Sequence, residues 1–312
     1  MIHIIDTKHP WTTEFEQACR RRGVEYSRGV PNGDDDALIF FAVNQYPPEL
    51  RERQQATAEC MPCGNRFIQD RNQIEVYEDK QKQMERWAHW MPESHVFTDR
   101  DSAMAWASDI YERYRFPCVS KSREGSSSHN VRILNRVEAK TEIDRIFSAR
   151  GLPIYTKPGF QKGYWLVQEF IPHNITFRVT IVGRYIHVYK RFCYPDKAVA
   201  APARVVPTEP VDYADPVMQD LIGWSRKVFE DIGTKFCAID VLYDHQRQKW
   251  VLLETSLAWA RGDDPAANST FFESRWTLNT QWDLLLDEIE AGVFGNEQKV
   301  SIPAYAPQPT FK

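Results

Sequence analysis

The sequence predicts a mixed fold in which a small α/β lobe is followed by a larger α+β body. Near the N-terminus, short apolar runs at residues 2–5 and 37–43 flank a helical pattern over residues 13–22 that stops at Gly23. The uninterrupted apolar run at 37–43 is typical of a buried parallel strand. After Phe116 the pattern changes to closely spaced strands joined by turns, which predicts antiparallel pairs.

The elements between and after these signals follow from the same periodicities. Helices are predicted over residues 79–90 and 101–114, separated by Pro92 and a short apolar element around Val96. In the second half, strands are predicted at residues 118–121, 131–134, 165–171, 177–182, 185–191, 236–243 and 250–254, and helices at 138–149, 216–232 and 269–290. Two hairpin turns, at 182–185 and 244–249, should place Arg191, Asp240 and Glu254 at strand ends.

Composition and charge restrict the class of protein. Of the 312 residues, 42% are hydrophobic and 26% charged, as in a folded globular chain long enough for two or three lobes. A net charge of −4 does not indicate the basic surface that nucleic-acid-binding proteins usually carry. The sequence contains no apolar stretch of about 18 residues, so no membrane span is predicted. We therefore expect a cytoplasmic protein with free thiols. Cys60 and Cys63 have metal-site spacing but lack a second ligand pair, which favours a loop.

A loop of small residues follows a lysine at the end of a predicted strand. The lysine is Lys121, and the loop contains Gly125, Ser126, Ser127 and Ser128 before the next strand begins. Small residues let backbone N–H groups approach an anion, and a lysine supplies positive charge. The stretch suits a polyphosphate, although a Gly/Ser loop between strands is also typical of a plain hairpin.

Further cations and two carboxylates occur around this loop in a definite order. Lys80 lies upstream near the start of a helix, and Arg178 and Arg191 lie in successive strands downstream. Asp240 and Glu254 follow on what should be adjacent strands, each after an apolar run where a charge needs a partner. Since Mg²⁺ is held by one or two carboxylates plus phosphate oxygens and water, this pair indicates a metal site.

This ordered set resembles the ATP-grasp family, particularly its carboxylate–amine ligases, over about residues 60–260. The resemblance implies an ATP-grasp fold with an N-terminal Rossmann-like lobe. It divides the chain into a pre-ATP-grasp domain at 1–78, a helical bridge at 79–115, a small lobe at 116–171, a large lobe with the metal site at 172–295, and a surface tail at 296–312.

The resemblance also implies roles for individual residues. Lys80 and Lys121 would hold the ATP phosphates, under the loop of residues 125–128. The adenine would contact Gln168, Glu169, Phe170 and Ile171. The catalytic cations would be Arg191 at the transferred phosphoryl group, with Arg178 and Lys121 in support, and the metal ligands would be Asp240, Glu254 and Ser256. The implied cofactors are ATP and Mg²⁺, with Mn²⁺ as the alternative metal.

Several of these assignments choose between neighbours. Lys190 and Arg191 alternate across a strand, so only one faces the cleft, and Arg191 is the preferred residue. The pair Gln168 and Glu169 has the same ambiguity, and Lys82 competes with Lys80. His95 and His129 are interpreted as packing or turn residues.

The sequence departs from the family pattern at four positions. Ser256 replaces an amide at the metal motif, and Thr176 replaces a common acidic residue, which puts the second metal site and the ribose contact in question. Trp259 and Arg261 replace a small turn and are candidates for an acceptor pocket, with Arg261 gripping a carboxylate. A packed aromatic residue and a surface arginine explain this pair equally well.

The implied activity is amide bond formation between a carboxylate and an amine, such as an amino acid or a peptide, through an acyl phosphate. The alternatives are a phosphotransferase of the same fold and a non-catalytic ATP-binding module. A helix with the amphipathic series Leu278, Trp282, Leu285 and Ile289 could seal a homo-oligomer or pack on its own core.

Overall fold

A computed structural model describes residues 1–5, 10–29, 38–41, 66–68, 76, 79–109, 116–123, 130–153, 160–193, 208–234, 236–256 and 278–292. Several predicted features lie outside these ranges: Cys60, Cys63, His129, the loop at 125–128, Trp259, Arg261 and the tail at 296–312.

The N-terminal lobe is a parallel sheet with one described helix. Its elements are β1 (Ile2–Ile5), α1 (Pro10–Arg22), β2 (Tyr26–Arg28), β3 (Leu38–Phe41) and β4 (Arg66–Phe67). The strand order is β2-β1-β3-β4, and every pair is parallel. α1 ends where predicted, because Gly23 takes the left-handed conformation with φ +66° that suits a helix terminus. The short strands β2 and β4 were not predicted.

The middle of the chain builds an antiparallel sheet of four strands. Its elements are α2 (Lys80–Trp87), a 3₁₀ turn (Ala88–Trp90), β5 (Ser94–Phe97), α3 (Arg100–Ser108), β6 (Cys118–Lys121), β7 (Arg132–Leu134), α4 (Arg136–Ile146), β8 (Leu152–Pro153), β9 (Phe160–Gln161) and β10 (Trp165–Glu169). The sheet order is β5-β10-β6-β7, and β8 pairs with β9 separately. α3 and α4 cover one face of this sheet around the buried Trp165.

Two boundaries in this region differ from the predictions. The prediction of one helix over residues 101–114 is wrong at Asp109, where the backbone is extended with ψ 110° after α3 ends at Ser108. The apolar element around Val96 is an edge strand, β5, that pairs with β10. The segment predicted as a helical bridge therefore also supplies a strand to the middle sheet.

The large sheet carries most of the later strands. Its elements are β11 (Ile175–Val182), β12 (Tyr185–Phe192), β13 (Thr208–Pro210), α5 (Pro216–Ile232), β14 (Phe236–Asp244) and β15 (Lys249–Ser256), followed by α6 (Leu278–Glu290). The strand order is β13-β12-β11-β14-β15, with all neighbours antiparallel. Gly183, at φ +50°, closes the predicted hairpin between β11 and β12.

The two faces of the large sheet differ in character because side chains alternate along each strand. One face packs its apolar residues, such as Val179 and Ile239, against α5. The opposite face is polar in the middle of the sheet. At one end of that face, Val182 and Phe236 pack against the N-terminal lobe and α6.

α6 settles an alternative that the sequence leaves open. Trp282 and Leu285 are fully buried in the core shared with Phe15 and Phe40 of the N-terminal lobe. Packing on the chain's own core thus explains Trp282 and Leu285, and Ile289 packs against the same core. Among the described residues, no helix is both long and apolar enough to cross a membrane.

Candidate active site

Three charged residues of the large sheet lie in one row across its polar face. Arg178 on β11 is opposite Asp240 on β14, and Asp240 is opposite Glu254 on β15. The register of β14 and β15 shifts immediately beyond Asp240, where Leu253 is the extra residue of a β-bulge. The bulge changes which side chains of β15 face the cleft and leaves Glu254 beside Asp240. Asp240 thus lies in the interior of β14, and the prediction that it ends a strand is wrong.

Asp240 is held between two arginines. Its Oδ1 accepts a hydrogen bond from Arg178 Nη1 at 3.1 Å and from Arg191 Nη1 at 3.0 Å. Burial would raise the pKa of this carboxyl, but attraction to Arg178 and then Arg191 outweighs burial and holds the pKa below its ordinary value. Asp240 is therefore ionised at neutral pH.

Arg191 is the residue of its strand that faces this cluster. It lies opposite Thr176 and is only 8% exposed, whereas Lys190 points to the other face of the strand and is half-buried. Arg191 Nη2 donates to the Tyr189 hydroxyl at 3.1 Å. Burial would lower the pKa of the Arg191 guanidinium, but Asp240 and Tyr189 raise it well above its ordinary value. Arg191 is a permanent cation here.

Two lysines approach the same row from the middle of the chain. Lys80 Nζ on α2 is 3.3 Å from Glu254 Oε1, and the Lys80 side chain is 9% exposed. Lys121, at the end of β6, interacts electrostatically with Glu254, Lys80 and Asp240. Burial, with repulsion from Lys80, lowers the pKa of Lys121 to about 8 against the pull of the two carboxylates. The two lysines, two arginines and two carboxylates thus occupy one cleft.

The strand predicted to contact adenine borders this cleft. Gln168 is buried on β10 and donates from Nε2 to Ser94 Oγ at 2.9 Å. The Glu169 carboxylate is paired with Arg247 of the β14–β15 turn, with Arg247 Nη1 at 3.0 Å from Oε2. Beyond the strand, Phe170 is half-buried and Ile171 is buried beside β14 and β15. The side chain of Glu169 is therefore engaged by the large lobe, and its N–H donates to the Glu93 carbonyl at 2.8 Å.

Of the remaining predicted residues, some lie near the charged row and others lie elsewhere or outside the described residues. Ser256 lies two positions after Glu254 on β15, so its side chain is on the same face, and it is 9% exposed. Thr176 is buried, and its Oγ1 has no hydrogen-bond partner among the described residues. His95 pairs with Glu93 and lies against the Trp106 ring, as expected of a packing residue. Trp259, Arg261 and the residues Gly125, Ser126, Ser127 and Ser128 lie outside the described residues.

Three residues that hold the cleft together, Asp79, Gln83 and Arg123, do not follow from the sequence motifs. The Asp79 carboxylate is fully buried and accepts from Arg123 Nη2 at 2.8 Å, while also capping α2. Gln83, one turn into α2, hydrogen-bonds the backbone of β15. An aspartate at the first position of a predicted helix is a recognisable N-cap signal. Arg123 and Gln83 carried no signal, since each contacts residues distant in sequence.

The chemistry of the two carboxylates fits a magnesium ion. Among the described residues, Asp240 Oδ2 and Glu254 Oε2 make no hydrogen bond, while the other oxygen of each carboxylate faces a cation. No group of three or more His, Cys, Asp and Glu with metal-site geometry occurs in the described part of the chain. A site with two carboxylates suits Mg²⁺, which completes its shell with phosphate oxygens and water, better than a metal that needs a full protein cage.

Solved structures share this architecture over nearly the whole chain. D-alanyl-alanine synthetase A from Vibrio cholerae superposes with a TM-score of 0.61 at 12% identity, covering 95% of this chain and 98% of its own. A RiPP-associated ATP-grasp ligase from Chryseobacterium gregarium, solved with ADP and a leader and core peptide, gives 0.59 at 12% identity, with 93% and 96% covered. This chain has the ATP-grasp fold. The fold predicted from the motif order is confirmed.

A third structural neighbour is a macrocyclase. It is the macrocyclase MdnC from Microcystis aeruginosa bound with its precursor peptide MdnA, with a TM-score of 0.60, 11% identity and coverage of 92% and 99%. No protein-family model and no curated protein sequence matches this chain. At these identities the ATP-grasp likeness establishes the fold, and the activity must be argued from the site.

Proposed function

We propose that this protein is an ADP-forming ATP-grasp ligase that joins a carboxylate to an amine through an acyl phosphate. The observation that carries the proposal is the row Arg178, Asp240 and Glu254, with Arg191 at 3.0 Å from Asp240 and Lys80 at 3.3 Å from Glu254. Phosphoryl transfer needs alignment and charge neutralisation rather than a protein nucleophile, and this row offers both.

Each charged residue has a distinct part in this proposal. Lys80 and Lys121 bind the phosphates, and Asp240 and Glu254 hold Mg²⁺, which neutralises charge between phosphate oxygens when bound. Arg191 stabilises the transferred phosphoryl group, and Arg178 fixes the Asp240 carboxylate. Gln168, Glu169, Phe170 and Ile171 contact the adenine, partly through their backbone. Ser256 is a weaker third metal ligand, because a hydroxyl is a poorer ligand than a carboxylate.

The chemical steps balance without any group beyond the substrates. A substrate carboxylate oxygen attacks the γ-phosphorus, and the bond to the bridging oxygen of ADP breaks. The substrate amine then attacks the acyl carbon, inorganic phosphate leaves, and the amine nitrogen loses a proton. Amino acids or peptides are the proposed substrates, supported by the peptide-bound structural neighbours. Trp259 and Arg261 are the proposed acceptor-pocket residues, and a cytoplasmic location fits these metabolites.

The test is a product analysis with a matched pair of variants. Wild-type protein with Mg·ATP and pooled amino acids and short peptides should release ADP and phosphate only when both an acid and an amine are present, with the amide detected by mass spectrometry. Glu254→Gln should reduce turnover by about 100-fold or more, the usual loss when a charge-stabilising group is removed. Glu209→Gln, an exposed glutamate on β13, should not.

Other outcomes would point elsewhere. Phosphate retained on an organic product would identify a phosphotransferase. Tight Mg·ATP binding without turnover across the panel would identify a non-catalytic ATP-binding module. Full turnover by Glu254→Gln would show that the metal assignment is wrong.

A further inference from the structure

Gln83 is a buried polar residue that the mechanism above does not use. It lies three residues after Lys80 on α2, its side chain is 1% exposed, and its amide is saturated with hydrogen bonds. Nε2 donates to the Val76 carbonyl at 3.1 Å and to the Thr255 carbonyl at 3.0 Å, and Oε1 accepts from the Thr255 N–H at 2.9 Å. An amide that bonds both backbone groups of one residue is held in a single orientation.

These bonds meet β15 at the edge of the large sheet. β15 is the last strand in the order, and Thr255 pairs with Ile239 of β14 on its other side. The Thr255 N–H and C=O therefore point away from the sheet, where buried backbone groups need partners. Gln83 takes the place of a neighbouring strand for this one residue. It fixes the distance between α2 and β15 and the position of α2 along the strand.

The attachment point is adjacent to the proposed phosphate and metal residues. Thr255 follows Glu254 directly, and Lys80 lies one helical turn before Gln83 on the same face of α2. The 3.3 Å contact between Lys80 and Glu254 thus joins α2 to β15. The Gln83 amide sets the spacing of these two elements directly beside that contact. A shift of α2 relative to β15 would change the spacing between Lys80 and Glu254.

Hydrogen bonds also attach α2 to the middle sheet. The Lys80 N–H donates to the Arg123 carbonyl at 3.0 Å, just beyond the end of β6 that carries Lys121. The Arg123 side chain returns to Asp79, the N-cap of α2, at 2.8 Å. The first turn of α2 is consequently pinned to both sheets, with Gln83 supplying the attachment to the large one.

We propose that Gln83 is a positioning residue for ATP: its amide locks α2 onto β15 and so holds Lys80 and Glu254 at the spacing that receives a magnesium-bound phosphate. The proposal rests on the proposed function only in that the cleft binds Mg·ATP. Loss of the amide is expected to weaken nucleotide affinity, because Lys80 then has to be placed at the time of binding.

The experiment compares the same substitution at two glutamines of α2. Gln83→Leu is expected to raise the Kd of a non-hydrolysable Mg·ATP analogue roughly tenfold, as measured by isothermal titration calorimetry. A change of this size corresponds to the loss of about one buried hydrogen bond. Gln81→Leu is the control, since the Gln81 side chain donates to Glu85 on the exposed side of the helix, at 2.6 Å, and makes no other hydrogen bond within the described part of the chain. The Kd of this variant should match wild type. The fitted stoichiometry separates partial unfolding, which lowers the number of sites, from a change in affinity.

A second variant tests the hydrogen bonds themselves. In Gln83→Glu, an ionised carboxylate faces the Val76 and Thr255 carbonyls with no donor, whereas a protonated carboxyl regains one. Its Kd relative to wild type should therefore improve by several-fold between pH 8 and pH 6, and the fitted stoichiometry separates this recovery of affinity from a recovery of the folded fraction. This variant also decides the matter if Gln83→Leu does not fold.

The outcomes discriminate between the two proposals. Wild-type affinity in Gln83→Leu, or a ratio of Gln83→Glu to wild type that does not change with pH, would overturn the positioning role while leaving the ligase proposal intact. Failure of the wild-type protein to bind the Mg·ATP analogue would instead contradict the proposed function.

Discussion

Arg178 and Asp240 lie directly opposite each other on β11 and β14, with Arg178 Nη1 3.1 Å from Asp240 Oδ1. Both side chains are largely removed from water, at 8% and 19% exposed. A buried carboxylate needs more than one donor to remain ionised, and Arg191 supplies the second. The pair is thus part of the scaffold that keeps charged the carboxylate proposed to bind the metal.

Replacing Arg178 with methionine should destabilise the fold. The substitution keeps much of the apolar stem and removes one charged hydrogen-bond donor from Asp240, a loss of about 2 kcal/mol in the free energy of unfolding. Urea denaturation followed by circular dichroism measures it. Lys190→Met, on the opposite face of the neighbouring strand, is the control and should change stability by less than about 0.5 kcal/mol. Equal stabilities of the two variants would contradict a structural role for Arg178.

Arg191→Lys should lower the rate of the chemical step more than it weakens ATP binding. Arginine bonds Asp240 through Nη1 and Tyr189 through Nη2 at once, a geometry that a single ammonium group cannot reproduce. We expect kcat to fall by about 100-fold, with the Kd of Mg·ATP changed by less than about threefold. Single-turnover measurements with calorimetric binding distinguish the two. A loss confined to the Kd would assign Arg191 to ground-state binding.

Strand alternation explains why much of the charged row could be predicted. Because side chains alternate along a strand, only one of Lys190 and Arg191 can face the cleft, and Arg191 is the one that the family resemblance assigns to the phosphoryl group. The two hairpins also had clear turn signals, so the pairing of β14 with β15 followed. The exact alignment did not follow, because the bulge at Leu253 has no sequence signature and places Glu254 beside Asp240.

Contacts between segments that are distant in the chain could not be predicted from the sequence. Arg123 and Asp79 are separated by 44 positions, and Arg247 and Glu169 by 78, so neither pairing follows from local periodicity. Gln83 was equally hidden, since a glutamine in a helix is ordinarily a surface residue. Short strands such as β2 and β13 also escaped prediction, because three residues are too few to display an alternating pattern.

Lys121 should make nucleotide binding sensitive to alkaline pH. Its pKa of about 8 lies below the ordinary value of 10.5 because of burial and Lys80, and a bound phosphate would favour the charged form and raise it again. Binding therefore takes up a proton above about pH 8, and the Kd should rise with pH there, by at most tenfold per unit. Titrations from pH 7 to 9.5 in buffers of different ionisation enthalpy measure both effects. Lys121→Arg should abolish the proton uptake, and a pH-independent Kd in wild type would contradict the prediction.

Trp282→Ala tests whether α6 belongs to the core of its own chain. The Trp282 ring is 1% exposed and lies edge-on to Trp11, Phe15 and Phe40 of the N-terminal lobe, with ring centroids 5.5 to 5.8 Å apart. Removing a fully buried indole leaves a cavity, and the free energy of unfolding should fall by about 3–5 kcal/mol. Because these contacts lie within one chain, the loss should be independent of protein concentration. A destabilisation that disappears on dilution would instead place α6 at an interface between copies, since only an intermolecular contact follows mass action.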